Sequence, residues 1–380
     1  MNKNLNKMSS FLVMDVLERA NEMQCNGIDV IHLEVGEPDF NIPQCVAKSI
    51  KKAYDNGLTH YTHSLGDPEL RKAIADFYKK EYGVTVSPDC IVVTSGSSPA
   101  ILMALLLICN SGDEVLISNP GYACYRNFIL AANATPVDVI LKPENGFKYD
   151  INDITKKIND KTKAIFINSP MNPIGNIIDE NMLKALAKLN IPILSDEIYH
   201  GLTYGQKPHS ILEYTNEAFV LNGFSKRFAM TGLRMGYLIA PKRYMRQLQT
   251  LQQNLFICAP SCAQKGAIAA LNEAEPDVNK MVAIYNERRL YMLNRLKKMG
   301  FIIHSEPQGA FYIFCDARKF TNDSLKFAFD VLEKAHVGIT PGVDFGSEGE
   351  GFVRFSYANS IENITEGMDR LEKYLSNLHK

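Results

Sequence analysis

Short apolar runs rich in β-branched residues alternate with helical stretches through the middle of this chain, and this alternation restricts the fold more than any other feature. Six runs have the character of buried strands, at residues 90–94, 114–118, 163–168, 191–194, 218–221 and 236–240. Strands that alternate with helices form a largely parallel sheet with helices on both faces. The pattern therefore predicts an α/β protein with a doubly wound, mostly parallel sheet.

The rhythm changes after residue 285, which predicts a second, smaller α+β domain. Its strand-like runs lie at residues 301–304, 310–315 and 352–357. The first 44 residues hold one helical stretch and one short strand, too little for a core of their own. We therefore predict a large domain at 45–285 and a small domain formed by 1–44 together with 286–380.

The composition favours small-molecule partners. The 380 residues carry a formal net charge of −1 without long runs of like charge, so we expect no nucleic-acid partner. The most apolar run, residues 101–109, is far shorter than the ~20 residues that span a bilayer, so we expect a buried helix and no membrane association.

The amino terminus and the cysteines predict a cytoplasmic protein with reduced thiols. Residues 1–7 lack the apolar stretch of a secretory signal. The eight cysteines include no Cys-x-x-Cys pair and no nearby histidine at zinc spacing, so no metal is expected. Cys258 and Cys262 lie one helical turn apart, and a helix face explains this better than a metal site.

Polar residues follow four of the predicted strands. In open α/β sheets, ligands bind outside the carboxyl ends of the strands. The segments that follow these strands are 95–98, 168–173, 195–199 and 222–226. The sequence therefore predicts that hydroxyls, an amide, a carboxylate and an amine meet in one crevice.

The last of these segments contains Lys226, and Arg234 follows eight residues later. A lysine amine condenses with an aldehyde to form a Schiff base, and an arginine fork suits a phosphate. Pyridoxal 5′-phosphate (PLP) carries both groups. A surface lysine and arginine at a turn is the alternative, which the other polar segments make less convincing.

Two further strand ends suit the same cofactor. Ser97 and Ser98 begin a predicted helix, with Ser98 as its N-cap, and offer hydroxyls and backbone N–H groups to a phosphate. Asp196 ends a nearly all-apolar strand, where an unpaired carboxylate is costly and a pyridinium N–H is a natural partner. The alternatives are a plain capped helix and a surface or helix-capping aspartate.

Tyr122 and Arg354 complete the candidate site. Tyr122 follows another strand and can stack on a flat ring, although packing within a turn is common for a Tyr after Pro-Gly. Arg354 lies within a strand of the small domain, and arginine suits bidentate recognition of a carboxylate. An exposed strand arginine fits the alternation equally well.

Together these segments resemble class I/II aminotransferases of the aspartate aminotransferase superfamily, which are fold type I PLP enzymes. The resemblance covers essentially the whole chain, with matches at residues 36–40, 61, 96–98, 168–175, 195–199, 223–236 and 352–356. It implies a homodimer that transfers an amino group from an L-amino acid to a 2-oxo acid by a ping-pong mechanism.

The resemblance also implies a role for each matching residue. Lys226 would form the internal aldimine with PLP and carry the proton between the substrate α-carbon and the cofactor. The phosphate would be bound by a set of polar side chains: Ser97, Ser98, Ser225, Arg234 and Tyr61 of the partner subunit.

The remaining roles concern the ring and the substrate. Asp196 would pair with the pyridine nitrogen, and Tyr122 would cover the ring face. The ring 3′-oxygen would be bound by Asn172 and Tyr199. The substrate α-carboxylate would be bound by Arg354, Asn172 and the backbone of Gly36.

Ser98 is the most informative departure from the family pattern, because related bacterial aspartate aminotransferases place a lysine there for the second substrate carboxylate. We therefore do not expect strict aspartate preference, and aromatic, branched-chain, alanine-type and glutamate donors remain open. Two alternatives share the scaffold: a PLP-dependent carbon–sulfur β-lyase and a non-catalytic PLP-binding regulatory protein.

Overall fold

A computed structural model describes residues 4–378 and contains twelve strands and twelve α-helices within that range. The strands are β1 Ile31–His32, β2 Ile91–Thr94, β3 Glu114–Asn119, β4 Thr135–Ile140, β5 Thr162–Asn168, β6 Ile193–Asp196, β7 Phe219–Gly223, β8 Gly236–Ile239, β9 Tyr312–Asp316, β10 Val337–Gly338, β11 Thr340–Pro341 and β12 Phe352–Ser356. The helices are α1 Leu12–Cys25, α2 Gln44–Asp55, α3 Pro68–Tyr82, α4 Ser97–Ile108, α5 Cys124–Ala131, α6 Ile151–Lys157, α7 Glu180–Leu186, α8 Met245–Leu255, α9 Ser261–Glu273, α10 Glu275–Met299, α11 Ser324–Ala335 and α12 Ile361–Leu378.

Seven strands form the large sheet, in the order β2-β8-β7-β6-β5-β3-β4. The pairs from β4 through β3, β5 and β6 to β7 are parallel, and only β8 runs antiparallel to its neighbours. Both faces are buried: along β5, Ile165 and Ile167 pack in one core, whereas Ala164 and Phe166 pack in another. The predicted doubly wound, mostly parallel α/β sheet is therefore confirmed.

A smaller sheet lies beyond α10. Strands β11, β12 and β9 form an antiparallel sheet, and β1 pairs in parallel with β10. Ile31 and Leu33 pack in the core that the carboxy-terminal strands and helices form. On this basis we propose the same division of the chain into 45–285 and a small domain of 1–44 with 286–380, of which residues 1–3 and 379–380 lie outside the described part.

Two local predictions differ from the structure, and one strand was missed. The predicted strand at 301–304 is reduced to a single bridge between Ile302 and Asp316. Strand β4 was not predicted; it is an edge strand that contains Pro136 and Asp138 and is only partly buried. Helix α4 begins at Ser97 with Gly96 as its N-cap, so Ser98 lies inside the helix.

None of the described helices is long and apolar enough to cross a membrane.

Candidate active site

The carboxyl ends of β2, β3, β5, β6 and β7 share one edge of the large sheet, and a cavity of about 450 Å³ opens there. It brings together eleven of the twelve predicted site residues: Gly36, Ser97, Ser98, Tyr122, Asn172, Asp196, Tyr199, Ser225, Lys226, Arg234 and Arg354. The twelfth, Tyr61, is not among the residues that line the cavity, and 81% of its surface is exposed. The predicted crevice at the strand ends therefore exists in a single chain, except for Tyr61.

One end of the cavity is a backbone cradle at the start of α4. Gly96 has a φ of +91°, and a Cβ atom there would lie 2.6 Å from Nη2 of Arg234. A Cβ on Gly236 would lie 2.7 Å from the backbone nitrogen of Ser97. Because both positions are glycine, the Arg234 guanidinium, the β8 backbone and the helix N-terminus approach each other closely. This combination of N–H groups and a cation suits a phosphate.

Asp196 lines the cavity at the end of β6. Its Oδ2 accepts a hydrogen bond from the Tyr125 hydroxyl at 2.6 Å, and its Oδ1 accepts one from the backbone N–H of Ile198 at 3.1 Å. Only 4% of Asp196 is exposed, and burial raises the pKa of its carboxyl group to about 6. A cationic partner would offset this burial cost, as a protonated ring nitrogen does.

Lys226 follows β7 and points into the same space. Its Nζ donates to the backbone oxygen of Gly36 at 2.5 Å. Burial lowers the pKa of the ammonium group to about 8; nearby Glu37 opposes this effect, and the Arg354 and Arg234 cations add to it. The amine is therefore much closer to its nucleophilic, uncharged form at neutral pH than an ordinary lysine.

Arg354 forms the opposite wall, and 2% of it is exposed. Its guanidinium donates to three uncharged oxygens, namely Asn172 Oδ1 at 2.9 Å, the backbone oxygen of Glu34 at 2.6 Å and Thr340 Oγ1 at 3.1 Å. Its Nε has no hydrogen-bond partner among the described residues. A buried cation that is held only by neutral groups is a ready receptor for a carboxylate.

The remaining side chains shape the cavity. Tyr122 packs edge-on against Tyr125, with ring centroids 5.1 Å apart. The Tyr199 and Tyr312 hydroxyls are 2.8 Å apart, and burial raises the pKa of both phenols. Ser225 is buried, so its hydroxyl sits inside the protein beside Lys226.

Several residues of this site were not predicted from the sequence. Tyr125 binds Asp196, Thr340 binds Arg354, and Tyr312 binds Tyr199. None of them belongs to a recognisable motif. Tyr125 lies one position into α5, a helix that follows a strand end, and this location was the only signal that could have drawn attention to it.

The model of the family described as "Aminotransferase class I and II" matches residues 28–371. The chain belongs to this family. The chain is similar to the (5-formylfuran-3-yl)methyl phosphate transaminase of Methanocaldococcus jannaschii, with 42% identity over 99% of this chain and 100% of that protein. It is also similar to the aspartate aminotransferase of Pyrococcus horikoshii, with 39% identity over 96% of this chain and 94% of that protein.

Solved aminotransferase structures agree with this assignment. A crystal structure from Methanococcus jannaschii, described as similar in its active site to kynurenine aminotransferases, has a TM-score of 0.92 at 42% identity and covers 99% of this chain and 100% of its own. The aspartate aminotransferase of Thermus thermophilus with maleate has a TM-score of 0.94 at 32% identity, covering 98% and 99%. The chain is therefore an aminotransferase, as its sequence predicted.

Proposed function

We propose that this aminotransferase works with PLP bound in the cavity at the strand ends, and one observation carries the proposal. An amine with a lowered pKa, a glycine-lined backbone cradle and a buried guanidinium that is hydrogen-bonded only to neutral groups line one cavity together with a buried carboxylate. When bound, PLP supplies an aldehyde that exchanges for the amino group and a ring that spreads negative charge from the substrate α-carbon.

We assign the cofactor contacts to residues with matching chemistry. Arg234, Ser97, Ser98 and Ser225 would hold the phosphate at the start of α4. Asp196 would pair with the ring nitrogen, because its buried carboxylate then faces a cation. The ring 3′-oxygen and the ring face would contact Asn172, Tyr199 and Tyr122.

Lys226 is the proposed catalytic residue. Its partly buried amine, with a pKa lowered to about 8, can both attach the cofactor and carry a proton to and from the substrate α-carbon. The carbonyl oxygen of Gly36 orients Nζ within the cavity. An amine whose pKa lies close to neutral pH can both accept that proton from the α-carbon and return it.

Arg354 is the proposed receptor for the α-carboxylate that every amino acid carries. Its bonds to Asn172 Oδ1 and to the backbone oxygen of Glu34 fix the guanidinium without neutralising it. The substrate would supply the missing negative charge, and its α-carbon would then face the space beside Lys226. This arrangement would position the substrate through its α-carboxylate, without contacts that depend on the substrate side chain.

We further propose a homodimer. Exposed apolar side chains cluster in two segments, 54–61 and 255–257: Tyr54, Leu58, Tyr61, Leu255 and Ile257. Ser261, which begins the helix after the second segment, donates from its hydroxyl to the Leu58 backbone oxygen of the first segment at 2.7 Å. An exposed apolar patch favours a protein interface, and such an interface would let Tyr61 of the partner subunit approach the exposed Arg234.

We also propose a cytoplasmic location, which the cysteines support. All eight of them, Cys25, Cys45, Cys90, Cys109, Cys124, Cys258, Cys262 and Cys315, are free thiols in the structure. Free thiols are typical of a reducing compartment.

The function is tested with purified protein and PLP. Addition of one L-amino acid without an acceptor should convert the cofactor absorbance in a single half-reaction, and a 2-oxo acid should restore it. Lys226→Ala should lower turnover by more than about 1000-fold, because both attachment and proton transfer lose their group. Lys242→Ala, which alters an exposed lysine, serves as the control.

Turnover that survives Lys226→Ala would contradict the catalytic assignment. Release of pyruvate and sulfide from cysteine as the main reaction would instead support a β-lyase.

A further inference from the structure

The amino-terminal end of α1 forms an apolar wall of the cavity. The residues of this α1 wall are Phe11, Val13, Met14 and Leu17. The Phe11 ring meets the Tyr122 ring edge-on, with centroids 6.1 Å apart and an interplanar angle of 90°. The α1 wall therefore touches the aromatic residue that we assign to the face of the cofactor ring.

Helix α1 begins without a cap of its own. Its N-cap residue is Phe11, which makes no side-chain hydrogen bond to the helix. The first N–H groups of a helix lack intrahelical partners, and a Ser, Thr, Asp or Asn at the N-cap normally binds them. With Phe11 in this place, the aromatic ring enters the cavity and the capping role falls to another residue.

Asp344 takes that role from the other end of the chain. Its Oδ1 accepts the backbone N–H of Leu12 at 2.9 Å, and its Oδ2 accepts that of Val13 at 3.4 Å. Asp344 is buried, with 9% of it exposed, and it is not among the described residues that line the cavity. Its carboxylate is connected to the site in two ways, through the α1 backbone and through its electrostatic attraction to the Arg354 cation.

The short turn that carries Asp344, Gly342–Phe345, also contacts the other walls of the cavity. The backbone oxygen of Phe345 accepts the N–H of Gly121, the residue before Tyr122, at 2.9 Å. The Phe345 ring centroid lies 5.1 Å from the Arg354 guanidinium. One turn thus holds α1, the Tyr122 loop and the proposed carboxylate receptor in fixed relation.

We propose that Asp344 is a positioning residue that fixes the α1 wall, and that this wall selects amino donors with apolar side chains longer than that of alanine. The proposal rests on the proposed cofactor-bound site. With the α-carboxylate at Arg354, a short side chain leaves the wall uncontacted, whereas a longer apolar one is buried against Phe11 and Met14. The position of the α1 wall then affects the binding of long apolar donors and not the binding of alanine.

The test compares half-reactions of the PLP-loaded enzyme with L-leucine and L-alanine. Asp344→Ala should raise the half-saturation constant for leucine about five- to tenfold, with the limiting rate and both constants for alanine within about twofold of wild type. Asp344→Asn keeps one acceptor oxygen and should restore most of the leucine binding. Hydrogen exchange at the Leu12 and Val13 amides should become faster in Asp344→Ala.

Asp179→Ala is the matched control, because Asp179 caps α7 through the Met182 N–H at 2.9 Å. It should leave the leucine-to-alanine ratio unchanged. Equal rises for leucine and alanine in Asp344→Ala, or unchanged amide exchange, would overturn the proposal, as would a wild type that reacts with alanine but not leucine. A wild type that reacts with no amino acid would contradict the proposed function instead. Phe11→Ala alters the wall directly and should also raise only the leucine constant, even if Asp344→Ala does not fold.

Discussion

The two halves of the cavity are built in different ways. On the side of the large sheet, Asp196 is the last residue of β6, and Lys226 lies in the loop that follows the parallel strand β7. On the opposite side, the wall is assembled from the start of α1, residues 35–37, and strand β12 with Arg354. The first half is ordered by the sheet itself, and the second by contacts between distant parts of the chain.

This difference distinguishes the groups that we expect to be required for activity from those that we expect to set donor preference. The sheet side presents charged and hydroxyl groups that suit the cofactor, and its geometry follows from strand register. In the proposed complex the α1 side would face the substrate side chain, and its position depends on a few hydrogen bonds such as those that Asp344 accepts. We therefore expect large losses of activity from changes near the cofactor and the α-carboxylate, and selective changes from the α1 wall.

The largest effect after Lys226 is expected at Arg354. Arg354→Ala should lower kcat/KM about 100- to 1000-fold, or roughly 3–4 kcal/mol, mainly through KM, because the α-carboxylate loses a buried charged partner. Cofactor absorbance should not change. Arg243→Ala, which breaks an exposed ion pair with Glu217, is the control. An Arg354 variant that loses the cofactor but keeps its KM would show that Arg354 holds the cofactor and not the substrate α-carboxylate.

The pH dependence of cofactor loading tests the sheet side. Only the uncharged amine attacks an aldehyde, and the lowered pKa of about 8 for Lys226 means that most of it is uncharged above that pH. The rate at which apo-protein takes up PLP should rise about tenfold per pH unit below 8 and level off above it. An ordinary lysine would continue to gain up to about pH 10.4. Stopped-flow absorbance, corrected with free Nα-acetyl-lysine, measures this, and a rise that persists past pH 9.5 would refute it.

A smaller effect is expected at the phosphate cradle. Gly96→Ala should weaken PLP binding about tenfold, because the new Cβ meets Arg234 Nη2 at 2.6 Å. Gly83→Ala is matched to it: Gly83 has a φ of +72° but nothing within 4 Å of its Cβ position. Both variants should lose about 1 kcal/mol of unfolding free energy through backbone strain. Titration of apo-protein with PLP distinguishes them, and equal affinities would show that the cradle does not hold the phosphate.

The smallest effect concerns Tyr61. Tyr61→Phe should reduce PLP affinity about two- to tenfold, the range for one lost hydrogen bond, if Tyr61 of the partner subunit reaches the phosphate. Tyr54→Phe alters another exposed tyrosine of the same patch and should have no effect. Sedimentation of the wild type establishes whether the dimer forms. A dimer whose PLP affinity is unaffected by Tyr61→Phe would remove this residue from the site.

The sheet side of the site could be predicted from local sequence. Runs such as 163–168 mark buried strands, and the polar residues after them share an edge because parallel strands end together. The run at 301–304 misled the prediction: Phe301 and Ile303 pack in the core of the small domain, but the exposed Ile302 makes only a single bridge, to Asp316. Strand β4 was missed because an edge strand tolerates Pro136 and polar residues.

The other side could not be predicted, because its decisive contacts join distant residues. Leu12 and Asp344 are 332 positions apart, and neither belongs to a local motif. Arg354 was recognised as a candidate, but its partners Thr340 and the Glu34 carbonyl follow only from the way the small domain folds. Phe11 as a helix N-cap runs against local preference, so the sequence gives no reason to place a cap elsewhere.

The antiparallel pairing of β7 and β8 has a consequence for how the amine and the cradle arginine are held. Gly223 and Gly236 are paired directly, so the segment between them is a closed loop that carries both Lys226 and Arg234. The two groups therefore belong to one loop whose ends are fixed by neighbouring strands. The α1 wall lies outside this loop, so we expect that substitutions in the wall leave the amine and the arginine in place.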